Sequence, residues 1–375
     1  MIIAIIDADL IGRKKHRFPN LACMKLSAYH KNNGNTVFLK TDYDNLESVD
    51  KILISKVFTD TIVPKNILEL ENVEYGGTGF FYDKAPKLAP EIEHIFPDYH
   101  LYDDYIAEQI KSGKNKNQFK EYVDFSIGFT TRGCIRQCSF CVNQNYRSCN
   151  KHSPISEFLD QERKYICLLD DNIFACRDWK EIFDDLINTN KPFCYKQGMD
   201  ERLLTDEKCH YLFKKSKYYG NKTFAFDNIK DRDIIVRKLD LIAQYTKEQC
   251  RFYTFCGFNH NSPGEYNHEF WVQDIVDLFE RIKILMTYGH LPYIMRFKDY
   301  ELSPYRGIYI TAARWCNQPS FFKKKSFREF SYMRGDNSAE AKYLEKFQSE
   351  NPEIAKEYFD ITWINQNKNM GGAIR

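Results

Sequence analysis

From Phe125 to Phe297 the chain repeats one pattern, a short run rich in β-branched and aromatic residues followed by a stretch with helical apolar spacing. The strand candidates are Phe125 to Thr130, Tyr165 to Asp170, Phe193 to Gln197, Lys222 to Phe226, Arg251 to Phe258 and Pro292 to Phe297. Helix candidates fall between them: Ser156 to Lys164, Asp178 to Asn188, Asp206 to Lys217, Asp231 to Lys247 and Phe270 to Tyr288. In the last of these, Ile275, Leu278, Phe279, Ile282, Leu285 and Met286 share one face, and Gly289 follows as a stop. A helix-length crossover returns the chain to the same end of a sheet, so strands joined this way pair in parallel. Six of them predict a partial (β/α)6 barrel, whose chemistry belongs at the C-terminal ends of the strands.

The first of those ends carries Thr130-Thr131-Arg132-Gly133-Cys134-Ile135-Arg136-Gln137-Cys138-Ser139-Phe140-Cys141. Cysteines at C-x3-C-x2-C in a short loop can turn three thiolates toward one metal cluster. A [4Fe-4S] cluster is usually held by four cysteines; three leave one iron open to a ligand that is not protein. Cys149 could instead complete a four-cysteine structural site for zinc or an electron-transfer cluster. That alternative describes a non-enzymatic, nucleic-acid-binding metalloprotein using Cys134, Cys138, Cys141 and Cys149.

Ahead of the barrel, residues 1 to 110 read as a small Rossmann-like α/β domain. Ile2 to Ile6, Thr36 to Leu39 and Lys51 to Phe58 are its strands, and Pro19 to Asn32 is a helix ending at Gly34. Tyr75-Gly76-Gly77-Thr78-Gly79-Phe80 is a loop open to close approach by a ligand or a second domain. Residues 111 to 122, beginning with the lysine-rich stretch Lys111 to Lys120, read as a solvated linker, residues 123 to 300 as the barrel, and residues 301 to 375 as a C-terminal helical extension. In that extension Tyr305, Ile308, Ala312 and Trp315 have helical spacing, as does Ser338 to Ser349, while Phe321-Phe322-Lys323-Lys324-Lys325-Ser326-Phe327-Arg328 mixes basic and aromatic residues. Such mixing suits stacking and phosphate contacts on single-stranded nucleic acid, or else an edge with buried rings and solvated lysines.

Composition narrows the class. The chain has 375 residues, 43% of them apolar, with 29 Phe and 25 Tyr, enough for a substantial core, and a formal charge of only +2 gives no global case for nucleic acid. Met1 to Ile6 is closed by Asp7, too short for a signal peptide, and no run is long enough for a membrane span, so the expected location is cytoplasmic. Of 12 cysteines, those outside the loop are scattered without C-x-x-C pairs, so no second cluster is expected.

The Gly-Gly-Thr-Gly-Phe loop, the Thr-Arg-Gly-Cys-Ile-Arg-Gln-Cys segment, Leu169-Asp170-Asp171-Asn172, Gln197-Gly198-Met199-Asp200-Glu201-Arg202-Leu203 and Ala313-Arg314-Trp315-Cys316-Asn317 resemble a group of radical S-adenosylmethionine (SAM) proteins, many of them from phages or prophages. The resemblance implies a [4Fe-4S] cluster on Cys134, Cys138 and Cys141, with Phe140 beside it and SAM on the open iron. An external one-electron reductant of flavodoxin or ferredoxin type would drive SAM cleavage to methionine and a 5'-deoxyadenosyl radical. It implies Asp171 and Asn172 at the SAM amine, Arg202 on the SAM carboxylate, Gln197 and Asp200 near ribose hydroxyls or substrate, and Gly257 where backbone meets adenine. Asp227, Asn228 and Arg296 lie at further strand ends. The N-terminal domain resembles a degenerate cobalamin-binding domain, but Asp7-Ala8-Asp9-Leu10-Ile11-Gly12 lacks the His of D-x-H-x-x-G and His16 is displaced, so cobalamin is not expected. A nucleotide or nucleic acid is the expected substrate class.

Overall fold

The computed structural model describes residues 1–363; the end of the tail, where the sequence carries no signal, lies outside the described residues. By its internal contacts the chain divides into two compact units, Met1–Asp171 with Cys176–Lys196, and Asn172–Ala175 with Gln197 onward. The first therefore contains the N-terminal domain together with the first half of the expected barrel.

In the first unit, β1 (Ile2–Asp7), β2 (Thr36–Lys40), β3 (Lys51–Ser55) and β4 (Val73–Gly76) form a parallel sheet in the order β2-β1-β3-β4. Ile5 lies opposite both Leu39 and Leu53. Ile3, Ala4, Ile5 and Ile6 are fully buried, as a central parallel strand covered on both faces requires. Ile3, Ile5 and Leu53 pack with Cys23 and Met24 of the helix Leu21–Asn32, while Ala4, Ile6, Ile52 and Ile54 pack with Leu46, Val49 and Ile67. Strand β4 was not expected, because Val73–Gly76 is short and half-exposed. Its glycine loop makes the anticipated close approach to β3: the Gly79 amide donates to the Lys56 carbonyl at 2.9 Å, and a Cβ on Gly77, at φ +104°, would lie 2.3 Å from that oxygen.

Because β1 sits between β2 and β3, its C-terminal end is the switch point at which folds of this type hold ligands. Here Asp7 and Asp9 turn inward. Asp9 accepts from the Val57 amide at 2.7 Å and the Thr61 hydroxyl at 2.5 Å. Asp7 accepts from the Leu10 amide at 3.3 Å and the Tyr102 hydroxyl at 2.9 Å; that hydroxyl accepts from the Asn20 amide, and the Asn20 side chain donates to Ser55. Burial, reinforced by the charge of Asp9, pushes the Asp7 carboxyl up to about 7. A raised carboxyl binds its proton more tightly folded than unfolded, so this group's contribution is greatest in acid and falls away as pH rises from about 4 to about 7. Asp7→Asn removes that dependence. Relative to wild type the variant should gain on the order of 4 kcal/mol between pH 4 and pH 7, measured by urea denaturation at several pH values; a constant difference would refute the linkage.

The expected linker is only partly solvated. The lysine-rich stretch is exposed, but Phe119 and Tyr122 are buried with Ile3, Leu21 and Tyr102, since a ring ending a polar run still gains by joining an adjacent core.

The first unit also holds β5 (Phe125–Gly128), the short antiparallel ladder of β6 (Thr131–Arg132) with β7 (Asn150–Lys151), β8 (Tyr165–Leu168) and β9 (Phe193–Tyr195). Strands β5, β8 and β9 pair in parallel in that order. The helix expected at Ser156 to Lys164 is absent: only a 3-10 turn, Ile155–Glu157, forms. Phe158 turns inward, so close to Gly128 that a Cβ there would lie 2.3 Å from the ring, and the Arg163 guanidinium donates to the carbonyls of Tyr122, Phe125 and Tyr99. An apolar ring and a buried cation on this segment serve packing rather than a helix face.

In the second unit, β10 (Thr223–Ala225), β11 (Arg251–Cys256) and β12 (Leu291–Arg296) form another parallel sheet, extended by a bridge between Met199 and Phe224. The helices Arg232–Tyr245 and His268–Thr287 match expectation, whereas Asp206–His210 passes into a π-helical turn over Tyr211–Lys215. The helix Arg306–Cys316 packs Ile308, Ala312 and Trp315 against Ile275, Leu278 and Ile294. Phe322, Phe327 and Phe330 join the same core, with Ser326 and Glu329 forming a capping box. That corrects the nucleic-acid reading of Phe321 to Arg328, because buried rings cannot stack on bases. Among the described residues no helix is long and apolar enough to cross a membrane.

Candidate functional site

Gly128 and Leu168 are register partners at the ends of β5 and β8, so the cysteine loop leaves the sheet beside Asp170 and Asp171. Asp170 accepts from the Thr130 amide at 2.7 Å, the Thr131 amide at 3.1 Å and the Thr131 hydroxyl at 3.0 Å, and also from the Thr130 hydroxyl. Burial pushes this carboxyl up to about 6, while the bonds from Thr130 and Thr131 oppose the rise. Asp171 accepts from the Gly133 amide at 2.8 Å and the Asn143 side chain at 2.7 Å. Two successive carboxylates thus moor both ends of the loop, and the ladder of β6 with β7 closes its base. The sequence reading placed Asp171 at a ligand amine and assigned no role to Asp170; two adjacent acids at a strand end were the available signal. Asp170→Asn puts an amide N–H₂ among donors and should lower stability by roughly 2–4 kcal/mol, read by urea denaturation, with iron loading falling in parallel.

Within the loop, the Cys141 amide donates to the Cys138 carbonyl at 2.9 Å, the Arg136 amide to the Cys134 sulfur at 3.3 Å and the Asn143 amide to the Cys141 sulfur at 3.4 Å. Amides aimed at sulfur favour thiolate over thiol and tune a bound cluster. Cys134, Cys138 and Cys141 are all partly exposed, as is Phe140. The Phe140 carbonyl accepts from the Tyr82 hydroxyl at 2.7 Å, bringing the segment after β4 onto the loop. Burial and the Cys141 charge raise the Tyr82 phenol.

Cys149 differs. It is 6% exposed beside Thr131 and Cys176, and burial pushes its thiol up to about 12, which sets it apart from the partly exposed loop cysteines. No three His, Cys, Asp or Glu side chains among the described residues converge on a single ion.

In the second unit, Arg202 donates from Nε to Asp200 at 2.7 Å and from Nη1 to Asp231 at 2.6 Å. The Nε and Nη1 groups of Arg202 are thus engaged within the chain, where they orient Asp200. The Asn172 side chain is buried with its amide 3.5 Å from Asp200. Gln197 is exposed. The Gly257 amide donates to Asp274 at 2.8 Å, and a Cβ on Gly257 would lie 2.8 Å from the Tyr300 Cβ. Tyr300 therefore packs directly against the Cα of Gly257. Arg296 lies over the Tyr300 ring at 4.5 Å.

Two residues of this unit escaped the sequence reading. Glu201 is fully buried; its Oε2 accepts from the Ala225 amide at 3.0 Å and its Oε1 has no partner. Burial and the Asp200 charge push it up to about 8, leaving it chiefly protonated at neutral pH. Arg281 is 2% exposed and donates to the carbonyls of Phe226, Asp227 and Phe255 at 2.8–2.9 Å, clamping the ends of β10 and β11. A charge beside the apolar stripe of its helix was the signal.

No protein-family profile and no curated protein matches the chain. Among solved structures it is similar to a radical S-adenosylmethionine methyltransferase, TsrM from Kitasatospora setae, with cobalamin and a [4Fe-4S] cluster bound; identity is 10% over 79% of this chain and 74% of that one, with a TM-score of 0.51. The same enzyme with tryptophan substrate and the SAM analogue aza-SAM gives 10% identity over 78% and 72% and a TM-score of 0.50. The fold class is thus that of radical SAM enzymes in which a Rossmann-like domain precedes the radical SAM domain. At this identity the likeness is one of fold alone.

Proposed function

We propose that the protein is a radical SAM enzyme. The observation that carries the reading is the loop of three partly exposed cysteines, with backbone amides on two of its sulfurs, moored by Asp170 and Asp171 at the end of a parallel strand. Cys134, Cys138 and Cys141 would hold a [4Fe-4S] cluster as thiolates, and Phe140 would shield it. When bound there, such a cluster would supply the electron for reductive cleavage of SAM to methionine and a 5'-deoxyadenosyl radical. The chain's own part is to bind and orient. Asp171 retains lone pairs for an ammonium, Asn172 adds an amide contact, and Asp200, held by Arg202, is the acceptor for ribose or substrate hydroxyls, with Gln197 exposed nearby in sequence. Anaerobic reconstitution with iron and sulfide, then dithionite and SAM, should yield 5'-deoxyadenosine. A protein that binds one zinc and forms none would sink the reading.

The N-terminal domain, on this proposal, takes no cobalamin: the loop after β1 lacks histidine, and Asp7 and Asp9 are spent on internal bonds. Hydroxocobalamin mixed with the reconstituted protein should be lost on gel filtration; stoichiometric retention would overturn this.

A further inference from the structure

The loop Arg13-Lys14-Lys15-His16-Arg17 contains four cationic side chains and no acid, in a protein whose formal charge is only +2. It follows the C-terminal end of β1. Lys14 and Lys15 are exposed, and the Arg13 guanidinium sits 4.1 Å from the Phe58 ring centroid while pairing with Asp60 at 2.5 Å. From Phe58 the chain packing leads to further exposed rings. The Phe58 carbonyl lies against Gly79, where a Cβ would come within 2.8 Å, and Gly79 leads into Phe81 and Tyr82. Tyr75 and Phe81 stack with centroids 5.8 Å apart and planes 1° apart. Phe58 and Tyr75 are each 40% exposed, Phe81 and Tyr82 each 37%. Exposed Lys84 and Lys87 flank the far side, Lys87 lying 6.0 Å from the Tyr146 ring within the cysteine loop. Tyr82 ends the surface on that loop through its bond to the Phe140 carbonyl, and adopts φ +49°, a conformation a tyrosine rarely takes.

Stacked, exposed aromatic rings rimmed by lysines, leading to the residue before a cluster ligand, describe a place where an electron can enter. We propose that this face is the docking site of an acidic one-electron donor protein that reduces the cluster on Cys134, Cys138 and Cys141. The inference rests on the radical SAM reading and adds to it the entry point. Opposite charge speeds encounter and orients the partner, and rings shed water readily when covered. A donor held there has Tyr82 between itself and the cluster loop.

The test uses the full-length reconstituted protein and a reduced flavodoxin, an acidic donor, in anaerobic stopped-flow. In Lys14→Glu/Lys15→Glu the second-order rate of cluster reduction should fall by about tenfold or more at low salt and lose its ionic-strength dependence, the signature of electrostatic steering. Phe81→Ser should slow it at any salt. Dithionite, too small to need docking, is the comparator: both variants should still be reduced by it, which shows an intact cluster. Flavodoxin rates equal to wild type in both variants would overturn the proposal. So would a single-stranded oligonucleotide that binds wild type and is lost in the charge reversal while flavodoxin reduction is unchanged, which would assign the face to nucleic acid. Absence of a cluster in wild type would instead refute the underlying reading.

Discussion

Cys138→Ala is expected to abolish both cluster binding and SAM cleavage, whereas Cys149→Ala leaves both in place. Cys138 belongs to the partly exposed loop, and its carbonyl accepts the Cys141 amide that shapes the turn. On the proposed reading, removing one of three ligands would open a second iron to solvent, so the loss should exceed the roughly 10–100-fold that outer contacts of metal sites cost. Cys149, 6% exposed with its thiol pushed up to about 12, contributes packing beside Thr131 and Cys176. Its replacement by alanine costs some stability and no iron. Iron and acid-labile sulfide per chain, with 5'-deoxyadenosine as the activity readout, decide the matter. Metal lost equally in both variants would restore the four-cysteine, non-enzymatic alternative.

Gly133→Ala is expected to cost roughly 2–4 kcal/mol and most of the cluster. Gly133 sits at φ +94°, and a Cβ there would lie 2.3 Å from the Ser148 carbonyl oxygen and 2.9 Å from the Tyr146 ring. Relief of that clash must part the ladder in which Arg132 faces Asn150, immediately before the first ligand. Gly113→Ala supplies the control: it has φ +92° and nothing within 4 Å, so it bears the backbone cost without the crowding. Urea denaturation of the two variants should separate them, and only Gly133→Ala should lose iron. Equal stability and full iron content in both would show that the loop does not depend on this close approach.

Much of this architecture is legible in the order of residues. Strands such as Arg251–Cys256 and helices such as His268–Thr287 are recoverable because burial on one or both faces imposes a period on the residues themselves. The loop cysteines are legible because ligand spacing within a dozen residues is a local property. Where local pattern and packing conflict, the sequence misleads. Ser156 to Lys164 has helical spacing, yet Phe158 and Arg163 are drawn to Gly128 and to the carbonyls of Tyr122 and Phe125. Phe322 and Phe327 resemble a nucleic-acid surface until a core is available to cover them.

The site divides along the same line. The sequence by itself determined which residues are the candidate ligands, since three thiols at this spacing and parallel strands that end beside them are written in contiguous stretches. Only the tertiary structure decided which carboxylates do what. It sets Asp170 and Asp171 against the amides of the loop, ties Arg202 to Asp200 and Asp231, packs Tyr300 on Gly257, and buries Cys149. A hydrogen bond between residues 58 positions apart, such as Tyr82 to Phe140, leaves no trace in local pattern. Both partners are ordinary aromatic residues, and the contact exists because the fold brings the segment after β4 onto the loop that follows β5, in a different sheet.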